Sequence, residues 1–144
     1  MASILKVDTL TGVTTAGSIS VTGEGNSTTT NLQQGLAKCW VSFDGSGTVS
    51  IRDSINIASI TDSGTGTFSM NISNAMGNDD YTTSGCAFYS GAAGFDDTAI
   101  ICRDNTQLSS LSTTVNPFYT YRLSSAESIK DCFENMLLLH GDLA

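Results

Sequence analysis

Cys39-Trp40-Val41-Ser42-Phe43, Val49-Ser50-Ile51-Arg52 and Phe68-Ser69-Met70-Asn71-Ile72, all within residues 36–72, decide the fold of this chain. In each run apolar residues recur at every second position. That period belongs to strands, whose successive side chains point to opposite faces. Between the runs, Asp44-Gly45-Ser46-Gly47 and Asp62-Ser63-Gly64-Thr65-Gly66 carry the glycines and aspartates of tight reversals. The stretch therefore predicts an antiparallel unit of three or four strands. Residues 54–62 are its least regular part: Ile55 and Ile57 share one face and Ile60 takes the other, which predicts a bulge near Ala58 or Ser59.

Downstream, Asn74 to Asp80 reads as a loop and Tyr81 to Tyr89 as a strand, with Tyr81, Thr83, Gly85, Ala87 and Tyr89 on one face. Ser90 to Asp97 is a Gly-rich turn, Thr98 to Arg103 a strand, and Asp104 to Thr114 a polar loop or weak edge strand. A further strand starts after Pro117, where a missing donor falls at the strand's edge. At the end of the chain two patterns compete. Ser124 to Glu127 is a capping box followed by apolar residues at helical spacing, yet Phe133, Asn135, Leu137 and Leu139 alternate. A closing strand from about Cys132 to His140 is the reading adopted, because the related proteins described below finish in a strand.

Upstream, residues 1–35 are rich in Thr, Gly and Ser, with thinly spaced apolar positions at Ile4, Leu5, Val7, Leu10, Val13, Ile19 and Val21. Alone they cannot bury a core. They read as an extended assembly arm, with short strands at Leu5 to Leu10 and Ser18 to Thr22, that orders against other subunits or an anchor. The prediction is an all-β protein: an antiparallel β-sandwich or jelly-roll-like head over residues 36–144, preceded by an extended N-terminal arm over residues 1–35.

Gly35 to Phe43, Thr48 to Asp53, Ser59 to Asp62 and Gly66 to Asn71 resemble a domain of small fiber and tail-fiber-like proteins of tailed bacteriophages, especially those of cyanobacteria and other aquatic bacteria. Ala2 to Leu10 and His140 to Ala144 resemble the start and finish of such fibers. The resemblance implies a virion protein, a homotrimer anchored to tail or capsid proteins, that contributes to attachment at a host surface. It also implies assembly in a reducing cytoplasm, in keeping with free thiols at Cys39, Cys86, Cys102 and Cys132. A capsid decoration or tail-assembly protein contacting only other virion proteins is the alternative.

Composition narrows the function classes. A formal net charge of −8 with only six Lys and Arg argues against nucleic acid. The same charge predicts that any contact with an anionic cell surface uses neutral sugars, stacking or bridging cations. None of the four cysteines is in a Cys-x-x-Cys pair, so zinc and dithiol spacings are missing. Cys39 and Cys86 read as small buried hydrophobes. Residues 1–10 contain no apolar segment of signal-peptide type and the longest apolar run, Met136 to Leu139, is too short to cross a bilayer. A protein made in the host cytoplasm and carried on the virion is expected.

No enzyme is predicted. The single histidine, His140, sits near the end of a strand, where a surface or interface role is the ordinary one and metal binding on a trimer axis the sharper one; Gly-x-Ser-x-Gly is missing. Asp44 lies directly beside Gly, and Asp62, Asp79 and Asp96 within two residues of one, as turn residues do. Asp79-Asp80 and Asp96-Asp97 are the candidate carboxylates for Ca²⁺, without EF-hand spacing; no other cofactor is implied. For binding, Trp40 is out of phase with Cys39, Val41 and Phe43. Together with Tyr81, Tyr89, Tyr119 and Tyr121 it forms the candidate glycan or receptor surface. The plainer role for Trp40 is packing between subunits or sheets.

Overall fold

The computed structural model describes residues 4–12, 19–23, 28–89, 98–103, 111–123 and 128–143. It is all-β and antiparallel, with a single four-residue helical turn among the described residues. The chain divides into two compact units, Met1–Leu36 and Ala37–Ala144.

In the first unit, β1 (Ser20–Thr22) pairs with β2 (Thr29–Asn31), and Gly23 N–H closes the reversal on the Thr28 carbonyl at 2.9 Å. The turn α1 (Leu32–Gly35) follows. The expected strand over Leu5 to Leu10 does not form: these residues have no regular structure and Ile4, Leu5, Val7 and Leu10 are exposed. Apolar residues so far apart in sequence have no partner strand within the unit to cover them. Val21 is exposed too, Ile19 is half-buried, and Val13 lies outside the described residues.

The second unit contains β3 (Cys39–Asp44), β4 (Ser50–Ile55), β5 (Ile57–Gly64), β6 (Thr67–Ile72), β7 (Thr82–Phe88), β8 (Thr98–Arg103), β9 (Val115–Arg122), β10 (Ser128–Ile129) and β11 (Glu134–His140). They form one sheet in the order β4-β3-β11-β7-β8-β9-β6-β5, with β10 beside β9. The alternation at the end of the chain prevails over the helical pattern because β11 is central, hydrogen-bonded to β3 on one side and β7 on the other. Asn135, Leu137 and Leu139 are buried on one of its faces. The capping box, residues 124–127, lies outside the described residues.

Phe43 of β3 meets Phe68 of β6 edge to face at 5.4 Å between ring centroids, and Phe118 of β9 at 6.1 Å. In the sheet order β3 is four places from β9 and five from β6. In a flat sheet five places span roughly 24 Å at about 4.8 Å per strand. The sheet must therefore curl until its two halves face each other. The alternate residues Cys39, Val41, Phe43, Phe68, Met70, Ile72, Phe118, Leu137 and Leu139 fill the space between them.

The curl is completed at Asn56, the one residue between the strands at the two ends of the sheet order, β4 and β5. Its φ is 57°, in the left-handed region that Asn tolerates better than most residues. Its Oδ1 accepts the Asn74 N–H at 2.7 Å, and its Nδ2 donates to the carbonyls of Lys38 at 3.2 Å and Asn74 at 3.1 Å. One side chain thus ties the entry to β3 and the exit from β6 to the corner. The predicted bulge is present as a register shift between Ile57 and Ser59. Asn56→Ala removes all three side-chain bonds and leaves a β-carbon without local compensation at positive φ. It should lower stability by about 2–3 kcal/mol in urea unfolding, with Asn56→Gly losing less because the backbone strain is relieved.

Candidate functional site

All the strands of the second unit end at one of two poles. At the first lie Ala37, where this unit begins, the Asn56 corner, the Ser73–Asp80 loop and the residues after β11. At the second lie the β3–β4 reversal (Gly45 to Val49), the β5–β6 reversal (Thr65-Gly66), Tyr89 and the segment Lys130 to Phe133.

Lys130 to Phe133 straps the second pole. On one half of the sheet, Lys130 N–H donates to the Thr120 carbonyl at 3.1 Å, and the Thr120 hydroxyl donates back to the Lys130 carbonyl. Asp131 Oδ1 accepts the Gly66 N–H at 2.6 Å, and the Gly66 carbonyl accepts the Thr120 N–H at 2.8 Å. On the other half, the Cys132 carbonyl accepts the Gly45 N–H at 2.9 Å and the Asn135 side-chain amide at 2.7 Å. Arg52 Nη2 reaches the Phe133 carbonyl at 2.7 Å. The strap satisfies backbone groups that the ends of a curled sheet would leave open.

Between the strap and the reversals is a cleft of about 370 Å³, lined by Ser46, Gly47, Thr65, Tyr89, Lys130, Asp131 and Phe133. Both of its rings carry a guanidinium. Arg122 lies 4.9 Å from the Tyr89 ring centroid and Arg52 lies 5.7 Å from that of Phe133. Arg52 also pairs with Asp44 at 3.5 Å. The Ser46 hydroxyl, and next its backbone N–H, donate to Asp44 and hold its carboxyl below the usual range, with Arg52 adding a smaller effect. The site offers aromatic faces, hydroxyls and fixed charges at a sheet end.

The residues named from sequence are dispersed by the fold. Tyr81 is a correction: it is 5% exposed, in the core, and its hydroxyl donates to the carbonyls of Ser112 at 3.1 Å and Val115 at 3.2 Å. The alternation placed it with Ala87 and Tyr89 but could not say that this face turns inward. Tyr89 alone reaches the cleft. Tyr119 and Tyr121 are half-buried on β9, and Trp40 is half-buried on β3 opposite Ile55 and Leu138. Trp40, Met136, Leu138 and Cys86 line a separate, largely apolar groove of about 470 Å³ on the face of β3, β11 and β7 away from the core. His140 is half-buried at the end of β11, opposite Thr82.

Asp79 and Asp80 are exposed in the loop after Met76, and Asp96 and Asp97 lie outside the described residues. Among the described residues no three His, Cys, Asp or Glu side chains converge. The cleft residues that sequence reasoning missed, Lys130, Asp131 and Phe133, fall in the stretch where helical and strand patterns compete. Only the Ser46-Gly47 and Thr65-Gly66 turn signals pointed to this pole.

Cys86 is a second correction, exposed where burial was expected, because it shares the outward face with its neighbour Met136. Cys39 and Cys132 are buried, and burial pushes the Cys39 thiol up to about 11 and raises that of Cys132. At pH 8 a thiol shifted from 9.0 to about 11 holds roughly a hundredth of the ordinary thiolate fraction. Alkylation followed by mass spectrometry should thus modify Cys86 while sparing Cys39 and Cys132 until the protein is unfolded. Gly66, at φ 61°, tests the strap: a β-carbon there would come within 2.7 Å of Lys130 N. Gly66→Ala should cost about 2–4 kcal/mol and speed hydrogen exchange at the Thr120 and Lys130 amides. Comparison with protein-family models, curated proteins and solved structures finds no match to this chain.

Proposed function

We propose that this protein is a structural and adhesive virion protein of a tailed phage of aquatic bacteria. It is a short fiber or fiber-tip subunit, assembled as a homotrimer, whose residues 1–35 form an assembly or attachment arm and whose remaining residues form a β-sandwich head. The contacts of Phe43 with Phe68 and Phe118 support the sandwich reading, since strands far apart in the sheet order face each other across one core. The exposed Ile4, Leu5, Val7 and Leu10 support the arm, because apolar side chains without cover favour a partner surface.

The single observation that carries the adhesive role is the position of the cleft. It lies at the pole of the second unit opposite Ala37 and combines aromatic rings with hydroxyls and fixed charges, the groups that hold sugars. Three copies would present three clefts, and weak single contacts would sum through effective concentration. The second reading, a capsid decoration or tail-assembly protein, draws on the apolar groove at Trp40 and Leu138, a surface suited to protein contact.

Light scattering on the full chain should give about three times the 15.0 kDa subunit mass, and a chain beginning at Leu36 should be monomeric with unchanged circular dichroism. The full protein should bind aquatic host cells in sedimentation assays. A trimer that binds no cells would favour the assembly-only reading, and a full-length monomer would remove the free-standing trimeric fiber.

A further inference from the structure

Three of the six basic residues in the chain, Arg52, Arg122 and Lys130, gather at the strapped pole. Half of the chain's basic residues thus stand at one pole of an acidic protein. The carboxylates beside them are engaged. Asp131 holds Gly66, and Asp44 holds Ser46 and Arg52. The arginines are engaged as well: Arg52 donates to the Phe133 carbonyl and Arg122 lies over the Tyr89 ring.

Lys130 differs. Its main-chain N–H and carbonyl are both tied to Thr120, so the root of the side chain is fixed, and no described group pairs with its ammonium. It lines the cleft between the two rings. An ammonium on a fixed base, beside aromatic faces and the hydroxyls of Ser46 and Thr65, suits a ligand with one carboxylate, an apolar ring face and several hydroxyls. The volume of about 370 Å³ is at the small end of the range for such sites, roughly 300–1,000 Å³.

We propose that this cleft binds a carboxylate-bearing sugar, of the uronic acid type, in a bacterial surface polysaccharide. The inference rests on the attachment reading and names its ligand class. Lys130 pairs with the carboxylate, Tyr89 and Phe133 stack on the sugar ring, and Ser46 and Thr65 take the ring hydroxyls. Docking through neutral sugars, expected from net charge alone, is replaced by a local charge contact.

The test is calorimetric titration of the full chain with a short oligogalacturonate, using a maltooligosaccharide of equal length as the neutral control. Binding is expected for the acidic oligomer, weakening as salt rises. Lys130→Gln should weaken it about tenfold or more while Lys130→Arg largely retains it, and Tyr89→Leu, which keeps an apolar side chain against Ala87, Ala99 and Cys132, should weaken binding of a protein that still melts cooperatively. Equal binding of the neutral oligomer, no binding of the acidic one, or an unaffected Lys130→Gln variant would overturn the proposal. Isolated exopolysaccharide and isolated lipopolysaccharide, titrated separately, identify the source, and Lys130-dependent binding to either supports the proposal. Host-cell binding that survives in Lys130→Gln would overturn the cleft assignment and leave attachment standing. Lys130-dependent oligogalacturonate binding without cell binding would uphold the cleft and overturn attachment.

Discussion

The second unit depends on a closure constraint: the strands at the two ends of its sheet order are consecutive in the chain and separated only by Asn56. A strand cannot end one edge of a flat sheet and begin the opposite edge one residue later. The sheet has to curl, and a left-handed residue makes the sharp corner that lets it. Asn suits the position twice over. It tolerates the positive φ, and its amide satisfies donors and acceptors from Lys38 and Asn74 that the corner would otherwise strand. Closure then creates the core. Phe68 and Phe118 are already partners across β6 and β9, and Phe43 reaches them only after the curl; the burial of all three supplies hydrophobic gain that offsets the ordering of the chain.

Closing the sheet at one pole leaves the other open, and the open pole is where polar chemistry is forced to gather. Thr120 is fully buried there, as is Asn135, and the amide of Asn135 donates to the carbonyls of Cys132 and Phe43. The Asn135 amide nitrogen and the Thr120 hydroxyl are partnered while the Asn135 side-chain oxygen is not, and these bonds link the strap to the reversals behind the cleft.

The local rules of the sequence were enough for the long strands β3, β6 and β11, but not for Leu5 to Leu10, which forms no strand, nor for the short β2 and β10. Period two is a short-range property, and each of β3, β6 and β11 carries it openly. The bulge after Ile57 was also legible, because Ile55, Ile57 and Ile60 cannot share a face without one. What sequence could not supply was which face of a mixed strand turns inward. Tyr81 and Cys86 sit on opposite faces of the β7 segment with similar polarity, and only the neighbouring strands decide between them. The cleft was hidden for a related reason. Its members lie as far apart in sequence as Ser46 and Phe133, and the long-range bonds that join this pole, such as Arg52 to the Phe133 carbonyl and Gly66 N–H to Asp131, follow no local spacing.

Charge shows the same limit in another form. A total of −8 describes the long-range field, which is screened within about 8 Å at physiological salt. In the proposed recognition a ligand in the cleft meets Lys130 and Asp131, with Arg52 and Arg122 over the Phe133 and Tyr89 rings, while charges farther off are screened in proportion to their separation. An acidic protein can thus hold an acidic sugar, provided its few cations are placed together and its nearby carboxylates are already engaged. At this pole the hydrogen bonds that build the strap occupy Asp131 and fix the backbone of Lys130, which lines the cleft.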